Sequence, residues 1–234
     1  MSRLHKPKAG AWIRFAVLIV YPIVGVFYRP RWRHLERIPE TGGVIIAVNH
    51  ISQMDTLVVA RLTWQSGRVP RFLTKNTLFD QAVLGTIMRG CQQIPVYRGT
   101  SDASKSLQDA VAALEAGEAI VIYPEGTTTK DPAQWPMQAK TGIARLALLA
   151  PHIPIVPVGQ WGVQKAGKRR FRPRVEASVG KPLDLSRYHG IEPTSETLRE
   201  ITDVVMTAIR DEVATLREES PPTVFYSKPI EAAD

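Results

Sequence analysis

The sequence predicts an α/β fold in which helices flank a mostly parallel, mixed sheet. Short apolar runs rich in β-branched residues alternate along the chain with longer segments whose apolar residues recur at helical spacing. Alternation of this kind is typical of a largely parallel sheet covered by helices. The chain has 234 residues and 44% hydrophobic content, enough to bury a sizeable core without a metal or a disulfide. We therefore expect one domain.

Six strands are predicted where short apolar runs end at turn residues. They lie near residues 43–48, 71–74, 92–96, 119–123, 153–158 and 174–179. Five helices are predicted near residues 55–64, 78–89, 101–116, 140–150 and 195–217. The clearest is 101–116, because it has a polar start, apolar residues on one face and Gly117 as its stop.

An apolar segment without charges, residues 15–27, precedes the first strand. It is shorter than the roughly 20 residues that a membrane-spanning helix needs, and Pro22 and Gly25 interrupt it. Residues 1–37 carry eight Lys or Arg side chains and one Glu, which accounts for +7 of the formal net charge of +8. We predict a helix that lies in the interface of an anionic membrane, on its cytoplasmic side. A signal anchor that spans the bilayer and a cleaved signal peptide are the alternatives.

Two motifs follow strands and carry candidate chemistry. Asn49-His50-Ile51-Ser52-Gln53-Met54-Asp55 follows one apolar run, and Tyr123-Pro124-Glu125-Gly126-Thr127 follows another. The carboxyl ends of parallel strands meet at one edge of a sheet, so the two loops are expected to face one crevice. A histidine with a nearby carboxylate is suited to take a proton from an alcohol, and a backbone N–H beside a glycine to meet an anion. Together they indicate acyl transfer to a hydroxyl; a histidine–aspartate pair that only satisfies its own hydrogen bonds is the alternative.

Four blocks in order, between about residues 33 and 190, resemble the glycerolipid acyltransferase family, which includes the 1-acyl-glycerol-3-phosphate acyltransferases. These blocks are the two motifs above, Gln93-Ile94-Pro95-Val96-Tyr97-Arg98-Gly99, and Lys140-Thr141-Gly142 with Ile155-Val156-Pro157-Val158. The stretch 130–137 resembles an actinobacterial branch of the family. One departure is that the family usually continues from Gly-Thr into Arg-Ser, whereas this chain continues into Thr128-Thr129-Lys130.

The resemblance implies a glycerol-3-phosphate acyltransferase-like fold and transfer of a fatty acyl group from acyl-CoA, or from acyl carrier protein, to a glycerolipid hydroxyl. The first candidate acceptor is lysophosphatidate (1-acyl-glycerol-3-phosphate), which would give phosphatidate; another lipid alcohol is the alternative. His50 would be the general base and Asp55 would fix its tautomer. Arg98 would bind the acceptor phosphate, and Glu125 would order the loop or the glycerol.

Four further residues are candidates for substrate binding. Gly126 and Thr127 belong to the loop whose N–H groups could meet developing negative charge. Lys130 could reach the phosphate, but as a point charge it lacks the two-pronged contact of a guanidinium. Lys75, which follows a predicted strand, is equally well read as a surface lysine. The resulting division is a membrane-associating segment, an acyltransferase domain and a loosely ordered tail, at residues 1–32, 33–217 and 218–234.

Several other classes of function are disfavoured. No metal is expected, because His5, His34, His152 and His189 lack ligand spacing. The single cysteine, Cys91, precludes an intrachain disulfide, and no cofactor beyond the acyl co-substrate is expected. The basic cluster of residues 165–174 lacks a nucleic-acid motif. Donor phosphates or an acidic carrier protein are its candidate partners, and a solvated loop without a partner is the alternative. A membrane-lipid binding module without turnover is the rival that is not an enzyme.

Overall fold

The computed structural model describes residues 9–97, 103–165 and 172–227. The strands in this part of the chain are β1 (Arg29–Arg33), β2 (Val44–Val48), β3 (Pro70–Lys75), β4 (Ile94–Val96), β5 (Ala119–Ile122), β6 (Ile155–Trp161) and β7 (Arg174–Val179). The helices are α1 (Ala11–Phe27), α2 (Asp55–Gln65), α3 (Ala82–Gly90), α4 (Ala103–Glu115), α5 (Gly142–Leu149) and α6 (Ser195–Arg217).

The seven strands form one sheet in the order β1-β7-β6-β2-β5-β3-β4. The five strands from β6 to β4 are parallel to one another. β7 runs antiparallel to β6, and β1 runs parallel to β7. The predicted mostly parallel, mixed sheet is therefore confirmed. Because β2 and β5 are parallel neighbours, the loops that follow them leave the same edge of the sheet side by side.

All six predicted strands are present, and the seventh, β1, was not predicted. Its sequence, Arg29-Pro30-Arg31-Trp32-Arg33, has no apolar run, and its short alternation of arginine with Pro30 and Trp32 includes a proline, which is depleted in strands. Such a sequence is tolerated because β1 is an edge strand, where a proline costs no ladder hydrogen bond and charges face solvent. β6 also continues to Trp161, three residues beyond the predicted end.

The helix predictions hold with shifted limits. α3 begins at Ala82 rather than at residue 78, because residues 76–78 form a 3₁₀ turn and Gln81 is extended. α5 begins at Gly142, two residues later than predicted. Residues 101 and 102 of the predicted helix 101–116 lie outside the described residues, and α4 is its remainder.

Two apolar layers sandwich the sheet. In β2 all five residues are buried, and successive side chains point to opposite faces. Ile46 and Val48 belong to the layer that includes Leu62 of α2, whereas Ile45 and Ala47 belong to the layer formed with α4, α5 and α6. α6 packs very closely on β6: a Cβ on Gly159 would lie 2.6 Å from the backbone nitrogen of Val213. This packing holds the central strands rigidly beneath the two motif loops.

One side of the N-terminal helix α1 packs against the domain, and the other side is exposed to solvent. Val24 is buried, and Tyr28, which follows the helix, is buried and donates from Oη to the carbonyl of Val163 at 2.9 Å. The outer side exposes large apolar residues: Trp12, Phe15, Leu18, Ile19, Val26 and Phe27. Among the described residues, no helix has the length and apolar character needed to cross a bilayer. The association of α1 with a membrane stays a prediction.

The predicted domain limits also stay predictions. β1 lies across the limit at residue 32, so residues 29–33 belong to the sheet. At the other limit, part of the predicted tail contacts the domain. Gln138 donates its N–H to the carbonyl of Tyr226 at 2.9 Å, and Arg210 donates to the carbonyl of Pro222 at 2.9 Å.

Candidate active site

His50 and Asp55 meet at the carboxyl end of β2. The Nδ1 atom of His50 lies 2.8 Å from Oδ2 of Asp55. The same oxygen accepts the N–H groups of Ile51 at 2.5 Å and Ser52 at 2.9 Å. Asp55 is the first residue of α2, where the helix dipole favours a negative charge. Its carboxylate is therefore fixed in place, and it is fully buried.

The surroundings of Asp55 act on its protonation in two directions. Burial raises the pKa of Asp55 above its usual value, and the contacts with His50, Ile51 and Ser52 oppose that rise. When His50 is neutral and carries its proton on Nδ1, this hydrogen is donated to Asp55. Nε2 is then left as a proton acceptor, and the His50 side chain is still 14% exposed. This is the arrangement that a general base requires.

Tyr123 forms the platform on which the His50 ring lies. The two ring centroids are 4.3 Å apart with an interplanar angle of 21°. Phe72 of β3 lies 6.3 Å from Tyr123 at 16° and extends the stack. Burial raises the pKa of Tyr123 well above its usual value, so the ring stays neutral. Sequence reasoning included Tyr123 in its motif but gave it no role; an aromatic residue directly after a buried strand was the available signal.

Glu125 joins three segments of chain through its carboxylate. Oε1 accepts the N–H of His50 at 2.7 Å, and Oε2 accepts the N–H of Met137 at 3.0 Å. The residue is 2% exposed. Burial raises the pKa of Glu125 to about 8, although both N–H donors act in the opposite direction. With both oxygens occupied by backbone donors, the geometry matches the loop-ordering alternative named from the sequence.

Two residues to which sequence reasoning gave no such role hold the backbone of Asn49 and His50. Gln160 of β6 exchanges hydrogen bonds with the Asn49 side chain at 2.8 and 3.1 Å, and its Nε2 donates to the carbonyl of Asn49 at 2.8 Å. Thr129 donates its N–H to the carbonyl of His50 at 2.7 Å. No sequence signal indicated Gln160, because the predicted strand ended at residue 158 and β6 continues to Trp161.

The remaining candidates occupy different positions. Gly126 has a left-handed backbone (φ 72°) and donates its N–H to the carbonyl of Tyr123 at 3.0 Å, so that hydrogen is already used to close a turn. Thr127 and Lys130 are exposed on the same loop. Lys75 is exposed at the carboxyl end of β3. Arg98 lies outside the described residues. The structure thus brings together His50, Asp55 and Glu125, and places Thr127, Lys130 and Lys75 on the same edge of the sheet.

Within the described ranges, no group of three or more His, Cys, Asp or Glu side chains is arranged to hold a metal ion. The acid–base pair, its aromatic platform and the buried carboxylate beneath the loops are the chemical groups of this site.

The chain is similar to known acyltransferases. The sequence model of the family described as Acyltransferase matches residues 29–161. The 1-acyl-sn-glycerol-3-phosphate acyltransferase of Bacillus subtilis is 26% identical over 179 residues, which cover 75% of this chain and 84% of that protein. The chloroplastic 1-acyl-sn-glycerol-3-phosphate acyltransferase LPAT1 of Arabidopsis thaliana is 26% identical over 195 residues, covering 79% of this chain and 50% of that protein.

A solved structure shares the fold. The crystal structure of the 1-acyl-sn-glycerophosphate acyltransferase PlsC from Thermotoga maritima matches with a TM-score of 0.65 and 19% identity, covering 90% of this chain and 81% of that one. Since the family match spans more than half of the chain, the chain belongs to the acyltransferase family and is an acyltransferase enzyme. The resemblance to glycerolipid acyltransferases is confirmed, and membership of the actinobacterial branch stays a prediction.

The raised pKa of Glu125 leads to a prediction of how the free energy of unfolding changes with pH. Its raised pKa means that the folded protein holds the Glu125 proton more tightly than the unfolded chain does. Its contribution to the free energy of unfolding should therefore be full below pH 4.5 and should fall by on the order of a few kcal/mol as pH rises to about 8. Urea denaturation from pH 4.5 to 8.5 measures this slope.

The matched variant is Glu125→Gln, which does not titrate. It should be less stable than the wild type at pH 5, because an amide nitrogen cannot accept one of the two backbone N–H groups. Its stability should change less steeply between pH 4.5 and 8; the burial of Asp55 acts with the same sign and leaves a residual slope. Identical slopes in the two proteins would contradict the assignment.

Proposed function

We propose that this enzyme transfers a fatty acyl group to a hydroxyl of a glycerolipid acceptor, with His50 as the general base. The first candidate acceptor is 1-acyl-glycerol-3-phosphate, which would yield phosphatidate. The observation that carries the proposal is the 2.8 Å contact between His50 Nδ1 and the buried Asp55 carboxylate. The choice of acceptor is supported by the similarity to 1-acyl-sn-glycerol-3-phosphate acyltransferases of Bacillus subtilis and Arabidopsis thaliana.

In the proposed reaction, Nε2 of His50 takes the proton of the acceptor hydroxyl as its oxygen attacks the thioester carbonyl. An alcohol needs this help because its pKa lies far above neutral. Asp55 holds the Nδ1 proton and stabilises the imidazolium that forms. When the tetrahedral intermediate collapses, the C–S bond breaks, and the proton on Nε2 passes to the departing thiolate. The products are the ester and the free thiol of the carrier, so atoms and charge balance.

The acceptor headgroup would lie on the loop that carries Thr127 and Lys130. Both side chains are exposed at the edge of the sheet where His50 lies. Lys130 supplies a positive charge two residues beyond the position at which the family usually has an arginine, and Arg98 supplies the guanidinium named from the sequence. A phosphate monoester suits this pair of cations. Another lipid alcohol is the second candidate, because Lys130 makes a weaker directional contact than arginine.

The donor is acyl-CoA or acyl carrier protein. Arg172 and Arg174 are the members of the basic cluster with described side chains, and both are exposed. They lie close to the start of β1, where Arg29 and Arg174 are paired in register. Exposed cations of this kind suit either the phosphates of coenzyme A or the acidic surface of a carrier protein.

The enzyme would work on the cytoplasmic side of the cell membrane, held by α1. Leu18 is 73% and Val26 64% exposed, although both are apolar, and Arg14, Arg29 and Arg31 lie exposed nearby in sequence. Apolar side chains flanked by cations suit the interface of an anionic bilayer. The inner side of α1 belongs to the apolar cluster that includes Met54 and Leu57, on either side of Asp55. α1 would therefore lie between the membrane on its outer side and the residues that flank Asp55 on its inner side.

The base is tested by His50→Ala. We expect kcat to fall by roughly 10²–10⁴, because proton abstraction is lost, while folding and vesicle binding persist. Asp55→Asn should be similarly damaging, since it no longer fixes the tautomer of His50. The matched control is His152→Ala, which removes an exposed histidine paired with Glu115 and should leave kcat unchanged. The proposal fails if His50→Ala keeps more than half of the wild-type rate.

The acceptor is tested by supplying radiolabelled palmitoyl-CoA with a panel of lysophosphatidate, glycerol-3-phosphate and neutral lipid alcohols. With lysophosphatidate, Arg98→Ala should raise the acceptor KM by about one to two orders of magnitude, because a charge-assisted contact to phosphate is lost. Lys130→Ala should raise it less, and Lys181→Ala, an exposed lysine elsewhere, should not change it. Turnover of a neutral lipid alcohol alone, or an unchanged KM in Arg98→Ala, would favour the second candidate.

Membrane attachment is tested by replacing Phe15, Leu18 and Val26 together with serine and measuring flotation with phosphatidylglycerol vesicles. Each of these side chains contributes to membrane binding by burying apolar area in the bilayer interface. The ratio of vesicle-bound to free protein should therefore fall by more than about tenfold in the triple variant. The control replaces three exposed apolar residues elsewhere, Leu149, Ile191 and Val224, with serine and should float like the wild type. Equal flotation of all three proteins would remove α1 as the membrane site.

A further inference from the structure

We infer that Arg217 is a positioning residue for the proposed transfer, because its guanidinium clamps the two segments that hold the backbone of Asn49 and His50. Arg217 is the last residue of α6, 167 positions after His50 in the sequence, and it belongs to none of the family's motifs. The inference rests on the proposed function for its catalytic meaning, and on contacts of described residues for its geometry.

The guanidinium of Arg217 lies between two tryptophan rings. Its central carbon is 4.0 Å from the ring centroid of Trp135 and 4.3 Å from that of Trp161. The side chain is 9% exposed. A cation between two aromatic faces with little solvent around it is held much more firmly than an exposed one. Arginine suits this position better than lysine, since a planar group stacks on both rings at once.

Hydrogen bonds fix the remaining freedom of the guanidinium. Nη1 donates to the carbonyl of Ala133 at 2.8 Å, within the loop that carries Trp135. Nε and Nη2 donate to Oε2 of Glu219 at 3.0 and 2.5 Å. The residue between them, Glu218, ends the helix in a left-handed conformation (φ 57°) and turns the chain so that Glu219 reaches back. The end of α6 is thus shaped around this contact.

The Trp135 side of the clamp leads to His50 through a short chain of contacts. The carbonyl of Trp135 accepts the hydroxyl of Thr129 at 2.7 Å, and the N–H of Thr129 donates to the carbonyl of His50 at 2.7 Å. Two residues after Trp135, the N–H of Met137 meets the Glu125 carboxylate that also accepts the N–H of His50. Both polar groups of the His50 backbone are therefore held by the loop that Arg217 fixes.

The Trp161 side reaches the neighbouring residue. Trp161 directly follows Gln160, whose backbone and side chain make three hydrogen bonds with Asn49. Moving Trp161 would displace that pairing. Arg217 therefore contacts both segments that support Asn49 and His50, one through Trp135 and the other through Trp161. A shift of about 1 Å at a catalytic group costs up to 10²-fold in rate, so a remote clamp of this kind bears on kcat.

The test compares Arg217→Lys with Arg210→Lys. Lysine keeps the charge at position 217 but loses the planar group that stacks on both tryptophans. Arg210 is the matched control: it lies on the same helix, stacks on Phe225 at 5.0 Å and donates to the carbonyl of Pro222, but it contacts neither tryptophan. We expect kcat with palmitoyl-CoA and lysophosphatidate to fall about 10- to 100-fold in Arg217→Lys with KM changed less than about twofold.

Arg210→Lys should keep kcat within about twofold, even where its melting temperature falls as much as that of Arg217→Lys. Equal losses of kcat in both variants would overturn the inference, because they would show a general effect of loosening α6. Retention of more than half of kcat in Arg217→Lys would overturn it as well.

A double variant tests the route through Trp135. Thr129→Val removes the hydroxyl that donates a hydrogen bond to the carbonyl of Trp135. It keeps the backbone N–H that donates to the carbonyl of His50. If Arg217 acts through this route, Arg217→Lys combined with Thr129→Val should be no slower than Arg217→Lys alone. Losses that multiply would show two independent effects and would overturn the route.

A spectroscopic measurement separates this inference from the proposed function. The His50 ring is stacked on Tyr123, so we expect the NMR signals of its ring hydrogens to be shifted upfield, and the loss of these signals in His50→Gln would identify them. In Arg217→Lys we expect that shift to shrink while the signals of His152 and His189 stay in place. If no acceptor is turned over, the proposed function fails but this measurement still decides the inference: an unchanged His50 signal overturns it.

Discussion

The rest of the site depends on the two hydrogen bonds that the buried carboxyl group of Glu125 accepts from backbone N–H groups. It accepts one N–H from the loop after β2 and one from the segment that follows the loop after β5, so two separate parts of the chain are tied to one side chain. Burial disfavours the charged form of Glu125 and raises its pKa to about 8, and the two backbone N–H donors offset part of that effect. Fixing the N–H of His50 fixes the direction in which its ring leaves the backbone. The contact of His50 with Asp55 follows from that.

The parallel sheet makes this contact possible. β2 and β5 are neighbours with Val44 opposite Ala119, and the two strands end within one residue of each other, so their loops begin side by side. β6, on the other side of β2, ends beside the same loop and brings Gln160 to Asn49. Local sequence provides the motifs, but pairing between distant segments sets the distances between their atoms.

Most of the fold and the centre of the site could be predicted from the sequence, because they leave local sequence patterns. The features that were missed depend on contacts between distant segments or lie at the edge of the sheet. β2, β5 and the pair of His50 and Asp55 were predictable because buried strands and short-range side-chain pairs leave local patterns. β1 was missed because an edge strand needs no apolar run. Gln160 and Arg217 were missed because their roles depend on partners far away in the chain. A single glutamine or arginine has no local sequence pattern that reveals such contacts. Arg98 lies outside the described residues, and its role stays a prediction.

The loop residues that follow Gly126 and Thr127 differ in their contacts. Thr129 donates two hydrogen bonds. Its N–H donates to the carbonyl of His50, and its hydroxyl donates to the carbonyl of Trp135. Thr129 is therefore engaged in holding the loop and has no hydroxyl hydrogen to offer a lipid. Lys130, the next residue, is exposed and is the first cation of this loop that can face an acceptor. In the proposed function, holding the loop and binding the headgroup would thus be divided between the adjacent residues Thr129 and Lys130.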